Sequence, residues 1–222
     1  LHEAWADIQL FDDLSLKAGV FPSHIGNESM ISSECRTLTR SLIADFTPYY
    51  ESGVVLTWTR GIVSLSALAL NGWQRIVDDN GHPAFGTQVV LSPDTVTTMN
   101  WSSFVGRERE VDGQDRLRFH NDIWMARTLG DFHVSALCDV TLRQAEGMDV
   151  AIATNVQGRY GVADRISLAA RAEYVNDPQN ILLPLVGGSS VFSWSAGIDV
   201  QAQTAVKFRG EVRHFTSEAQ LW

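Results

Sequence analysis

The chain has 222 residues, a net charge of −9 and a mean hydropathy of −0.05. An acidic balance argues against nucleic acid as a partner, because phosphate binding needs a basic surface. No apolar run approaches the roughly 18 residues of a membrane-crossing helix. Cys35 and Cys138 lack a second cysteine or a histidine at metal-ligand spacing, so free thiols and no metal or other cofactor are expected.

In chain order, the dominant signal is period-two alternation. Segment 2–11 sets Ala4, Ala6, Ile8 and Leu10 against Glu3, Trp5, Asp7 and Gln9, a strand with two chemically different faces. Asp12-Asp13 turns tightly into 14–22, and a long link, 23–51, follows. In that link Ser33 stands as a helix N-cap with Glu34 in the first turn. Leu38 and Leu42 lie four apart, as do Arg36 and Arg40, which predicts a short two-faced helix. Links of this length usually have a role; this one is expected to fold inward and narrow a lumen, with Arg36 and Arg40 beside the path, or else to cover the mouth.

Strands 52–60 and 62–71 turn at Arg60-Gly61. Link 72–83 leads to 84–91 and 95–105, turned at Pro93-Asp94, and link 106–115 leads to 116–127. Two strands alternate poorly: 52–60 has few charges, and Asn121 falls on the apolar face of 116–127. A local bulge would account for either. Segment 131–143, after Leu129-Gly130, sets Phe132, Val134, Ala136, Cys138, Val140 and Leu142 against His133, Ser135, Asp139, Thr141 and Arg143. Link 144–148 precedes 149–160 and 164–175, and the latter opposes Leu168, Ala170, Ala172 and Tyr174 to Arg171 and Glu173. Link 176–190 carries the apolar run Ile181-Leu182-Leu183-Pro184-Leu185-Val186, which could dock a partner, insert in the membrane rim or fold into the lumen, partner or loop contact being the favoured reading, and 191–201 and 204–214 close the series.

Many of these twelve strands reach about ten residues, the length that crosses a bilayer at a tilt; ordinary strands average five or six. Short turns and long links alternate, as in outer-membrane barrels with short periplasmic turns and long external loops. The expected fold is all-β: one antiparallel up-and-down transmembrane β-barrel domain over 1–222. The soluble alternative, a sandwich or lipocalin-like barrel, hides its apolar faces. Opposite charges two apart, as in Arg171/Glu173 and Arg209/Glu211/Arg213, suit a wet lumen better. Aromatics near strand ends, among them Trp5, Phe21, Trp73, Trp101, Tyr160 and Phe192, fit interfacial girdles. Twelve strands in this register start and end outside, whereas such barrels keep both termini in the periplasm. A complete barrel of fourteen, with one further strand at each end, and an export leader outside these residues are therefore expected.

Parity assigns to the lumen Glu3, Asp7, Lys17, Arg118, His120, Asp122, His133, Asp139, Arg143, Arg159, Arg171, Glu173, Asp199, Lys207, Arg209, Glu211 and Arg213. Acids and bases roughly balance, so no ion selectivity is predicted, and cross-strand pairs could serve packing as readily as conduction. His120, Asp122 and His133 lack a strained serine motif or metal spacing, so no enzyme is expected.

The run Leu16-Lys17-Ala18-Gly19-Val20-Phe21-Pro22, followed by Ile25-Gly26-Asn27-Glu28, resembles the second hairpin arm and loop start of the OmpL-like β-barrel porin family. Arg171-Ala172-Glu173-Tyr174-Val175-Asn176-Asp177 and Arg209-Gly210-Glu211-Val212-Arg213 resemble its paired Arg-x-Glu strands. Thr39-Arg40-Ser41-Leu42, and Tyr50 with Gly53, sit where that family has a Ser-Arg-Ser segment and the next strand. Val212 stands where the family commonly has tyrosine. The resemblance spans most of the chain and implies a bacterial outer-membrane location and a pore, without naming a substrate. The expected function is a porin-like channel for passive diffusion of small hydrophilic solutes, embedded in the lipid bilayer. The alternative is a non-conducting structural barrel within a larger outer-membrane complex, docking other envelope proteins through loops such as 177–190.

Overall fold

The computed structural model describes residues 3–110, 112–183 and 189–217. Alternating sequence becomes one twelve-stranded antiparallel sheet whose strands follow chain order: β1 (Ala4–Phe11), β2 (Leu14–Pro22), β3 (Tyr50–Arg60), β4 (Val63–Leu70), β5 (Ala84–Leu91), β6 (Thr97–Arg109), β7 (Asp115–Leu129), β8 (Phe132–Gln144), β9 (Met148–Ala163), β10 (Ile166–Asp177), β11 (Ser189–Gln203) and β12 (Val206–Ser217). Among the described residues β1 and β12 do not pair with each other. No helix among them is long and apolar enough to cross a membrane.

Burial is inverted relative to a soluble protein. Ile123 is 57% exposed and Val212 67%, while His120 and Asp122, on the other face of the Ile123 strand, are fully buried. The apolar side of each ribbon therefore faces outward and the polar side faces a lumen, as the bilayer demands.

Several strands outrun their expected ends. β7 covers Asp115–Leu129 rather than 116–127, and β9 covers Met148–Ala163 rather than 149–160. Ladder pairing continues into polar sequence because charged partners close the hairpin tips: Arg109 faces Asp115 in register and bonds it at 3.0 Å, and Arg143 bonds Asp149 at 2.8 Å. The links expected at 106–115 and 144–148 shrink to 110–114 and 145–147, so long and short links do not alternate strictly.

Neither irregular strand contains a bulge. β3 pairs with β2 and β4 without a register shift, and β6 with β7 likewise. At Gly53 the strands approach so closely that a Cβ would fall 2.1 Å from the Ala69 carbonyl oxygen, a position only glycine tolerates. Asn121 stays on the outer face and is satisfied there, accepting from Trp101 Nε1 at 3.1 Å.

The helix expected from Ser33 through Leu42 does not form. A 3-10 turn occupies Ser32–Glu34, and a single α-helical turn, α1, occupies Leu42–Phe46, capped by Ser41, whose Oγ accepts from Ala44 N at 3.2 Å. A helix over 33–42 would need its own carbonyls, but those of Cys35, Arg36, Thr39 and Arg40 accept from lumen arginines instead.

Two apolar clusters sit inside the barrel. One joins Phe21, Ile25, Leu68, Leu70, Ala84 and Phe104, with Trp73 packed against it, so Phe21 and Trp73 are not girdle residues. The other gathers Ile43, Leu137, Val175 and Val191 around Ile181, Leu182 and Leu183. Those three are buried, not offered to a partner. Asp177 accepts their three backbone amides at 2.7–2.8 Å, which folds the link inward. Pro184, Leu185 and Val186 lie outside the described residues.

Candidate functional site

Residues 23–49 leave the end of β2 and enter the lumen. The first anchor is His24, whose Nδ1 meets the buried Glu51 carboxylate at 2.7 Å and whose Nε2 bonds the Ser103 carbonyl at 2.9 Å. Its own carbonyl accepts from Gln88 and Ser102, tying the segment to β5 and β6. Burial pushes the His24 imidazole down, but the charge and hydrogen bond of Glu51 outweigh it, and the net direction is up.

The segment then crosses to the far wall. Glu28 accepts from Asn155 at 3.0 Å and Gln157 at 3.4 Å on β9, and from its own chain at Ser41 N, 3.0 Å. Arg171 donates to Thr37 Oγ1 and to the Thr39 carbonyl, both at 2.7 Å. Arg209 reaches the carbonyls of Ser32, Cys35 and Arg36, and Arg213 that of Arg40. Acids on the same wall take the amides: Thr39 N donates to Glu211 and Leu42 N to Glu173, each at 2.6 Å.

The wall charges are also paired with one another. Arg171 meets Glu173 at 3.3 Å and Glu211 at 3.4 Å, Arg213 meets Glu173, and Asp199 bridges Arg159 and Arg209 at 2.9 Å each. Arg171 has no exposed side-chain surface. Such a network holds because guanidinium donors that lack a carboxylate find a loop carbonyl.

Other parity-assigned residues group differently. Arg118 and Arg143 share Glu110 at the long-link end, and Arg118 lies 5.2 Å over the Trp73 ring. His120 Nδ1 pairs with Thr141 Oγ1 at 2.8 Å. Asp122 and Asp139 face each other in register, both buried, with Asn100 donating to Asp122 at 3.0 Å. His133 Nδ1 bonds Thr128 Oγ1 at 2.9 Å. Lys17 stands opposite Asp7 with its ammonium 4.5 Å over Trp5, while Lys207 is exposed beside the last hairpin.

Of the two loop arginines, Arg40 stacks 3.8 Å over Tyr49 and donates to the Ala44 carbonyl. It flanks a cavity of about 360 Å³ that also touches Glu3, Glu28 and Tyr50. Arg36 points the other way, into a cavity near the short-turn end. The inner faces of β1–β4 carry Asp7, Gln9, Ser15, Lys17, Thr57, Thr59, Ser64 and Ser66, all exposed or half-buried. Thr57 pairs with Ser66 at 2.9 Å and Thr59 with Ser64 at 2.8 Å.

Parity could not find the other half of the site. Glu28, Thr37 and Thr39 lie on a link with no period, and Glu51 fell one residue before the expected strand. A single signal was available for them: an excess of arginine on β9–β12 requires acceptors from elsewhere.

Comparisons with known proteins follow the fold. The sequence model of a family described as "Putative beta-barrel porin-2, OmpL-like" matches residues 1–221. No curated protein sequence matches at a significant level. OmpT of Vibrio cholerae, an outer-membrane protein, superposes with a TM-score of 0.69 at 14% identity, covering 98% of this chain and 71% of its own. A BenF-like porin from Pseudomonas fluorescens Pf-5 gives 0.63 at 9% identity over 97% and 62%, and Pseudomonas aeruginosa OprD gives 0.59 at 9% over 98% and 64%. At such identities the likeness is one of fold.

Proposed function

Because the chain belongs to the OmpL-like β-barrel porin family and so resides in the bacterial outer membrane with lipid around it, we propose that it is a passive diffusion channel for small hydrophilic solutes, narrowed by its own 23–49 segment. The observation that carries this reading is the span of that segment, which is bonded to β5 and β6 at His24 and to β10 and β12 at residues 32–42. In this reading Arg36 and Arg40 border the path. The ladder of Arg159, Arg171, Glu173, Asp199, Arg209, Glu211 and Arg213 clamps the constriction, and solute moves along the hydroxyl-bearing wall of β1–β4. Single-channel recording in planar bilayers tests it. Deleting residues 30–46 should raise the unitary conductance, and an unchanged step size would sink the proposal.

The lumen histidines and aspartates serve structure rather than catalysis in this reading, since His120 and His133 are each engaged by a threonine hydroxyl. The fourteen-strand barrel is likewise proposed. Unpaired amides at the outer edges of β1 and β12 would cost several kcal/mol each in hydrocarbon, and the chain spans 71% of OmpT. Rapid disulfide formation between cysteines placed at Ala6 and Val212, with the native thiols removed, would mean direct closure and defeat it. A second reading, a non-conducting structural barrel, draws support from the apolar cluster of Ile43 and Ile181–Leu183 inside the lumen. Absence of any conductance from the intact protein would favour it.

A further inference from the structure

Between the inserted segment and strands β6, β7 and β8, at the short-turn end of the lumen, lies a cavity of about 280 Å³. Its polar lining comes from Asn27 and Arg36 of the segment, from Thr95 of the β5–β6 turn and from Thr98, Trp124, Thr128 and His133 of the wall. Among the described residues no aspartate or glutamate lines it. Arg36 lends its backbone carbonyl to Arg209, but its guanidinium makes no hydrogen bond or ion pair among the described residues. The loop acid Glu28 has its oxygens committed to Asn155, Gln157 and Ser41 N. Burial pushes the Arg36 guanidinium below its ordinary value and outweighs the opposing pull of the Glu28 charge.

Two wall donors share that condition. Trp124 Nε1 and His133 Nε2 are buried atoms with no hydrogen-bond partner among the described residues. An indole nitrogen can only donate, and a His133 whose Nδ1 accepts from Thr128 carries its proton on Nε2. Buried donors left unsatisfied cost about 1–3 kcal/mol each. These two donors and the Arg36 guanidinium belong to residues that line one cavity without a carboxylate, and together they suit an acceptor with several lone pairs.

We propose that this cavity binds a small oxyanion, a carboxylate or a phosphate group, with Arg36 as its forked partner, Trp124, His133 and Thr98 completing the ring of donors, and Thr128 fixing the His133 tautomer. The site deepens the channel reading by naming the charge class of the solute, and rests on that reading for its role in transit, though binding itself does not require conduction.

The test is calorimetric titration of the purified barrel in detergent with succinate and, separately, with inorganic phosphate. Whichever anion binds identifies the headgroup. Arg36→Gln should weaken binding by about tenfold or more, the scale of a lost charge-assisted hydrogen bond. Trp124→Phe keeps the ring, removes one donor and should weaken it less. Arg60→Gln, at an exposed hairpin tip, should bind as the parent does. No binding of either anion, or equal binding by Arg36→Gln, overturns the site. Bilayer recordings on the same preparations separate the two readings. A conducting parent with an indifferent Arg36→Gln leaves the porin standing and removes the site. Arg36-dependent binding without conductance upholds the site and removes the porin.

Discussion

The two walls of this barrel are built from different chemistry, although one alternating pattern generates both. From β7 to β12 the inner face is charged and largely hidden: Arg171, Glu173, Asp122 and Asp139 are all at most 3% exposed. From β1 to β4 it carries Ser15, Thr57, Ser64 and Ser66 beside Asp7 and Lys17, and remains accessible. The contrast is instructive because charge in a porin lumen suggests a permeation path. Here the charges of Arg171, Glu173, Arg209, Glu211 and Arg213 are consumed in holding a chain segment in place, and the accessible surface belongs to hydroxyls, of which Thr57 and Ser66, and Thr59 and Ser64, pair across strands.

The sharpest way to break this comparison is Arg171→Ala. It takes the buried arginine from Glu211, leaves Glu173 with Arg213 as its one cation among the described residues, and releases Thr37 and the Thr39 carbonyl, so a loss of about 3–5 kcal/mol in stability is expected, read by thermal unfolding in detergent. Reversal potentials should stay unchanged in Arg171→Ala and in Arg209→Ala. A stable Arg171→Ala protein with altered selectivity would make the ladder a path after all.

A smaller effect is expected at the first anchor. His24 is raised above its ordinary value, so the stability it contributes is complete below about pH 6.5, the unperturbed histidine value, and is lost as pH rises through the higher folded value. Losing a hydrogen bond to a charged partner is worth about 1.5–3 kcal/mol. Proteolysis within residues 23–49 should therefore accelerate on the alkaline side, and His24→Gln should cut equally fast across that range.

Asp139→Asn relieves two facing carboxyls and is expected to be neutral or to stabilise by up to about 1 kcal/mol. A clear destabilisation in urea would mean that the pair holds something between them. Least costly is Thr57→Arg on the accessible wall, expected to change stability by no more than about 0.5 kcal/mol while lowering conductance. A conductance equal to the parent's would move the path away from β1–β4.

Period two was a sufficient guide wherever a ribbon separates lipid from lumen. It places β2 at 14–22 and β5 at 84–91 to the residue, and separates Arg118, His120 and Asp122 from Phe119 and Ile123. It failed where side chains answer to distant partners. Leu38 and Leu42 are spaced for a helix, but the backbone between them spends its carbonyls on Arg171 and Arg213. Ile181-Leu182-Leu183 looks like a docking run, and Asp177 turns it inward.

Sequence alone determined the strands, their two faces and the inside-out burial, because alternation is local and the bilayer imposes a single rule on every ribbon. Only the tertiary structure decided what fills the interior. The segment carbonyls that Arg171 and Arg209 bond, and the wall amides that bond Glu28, lie more than a hundred residues away, and no periodicity reports which loop carbonyl a buried guanidinium will find once water is excluded.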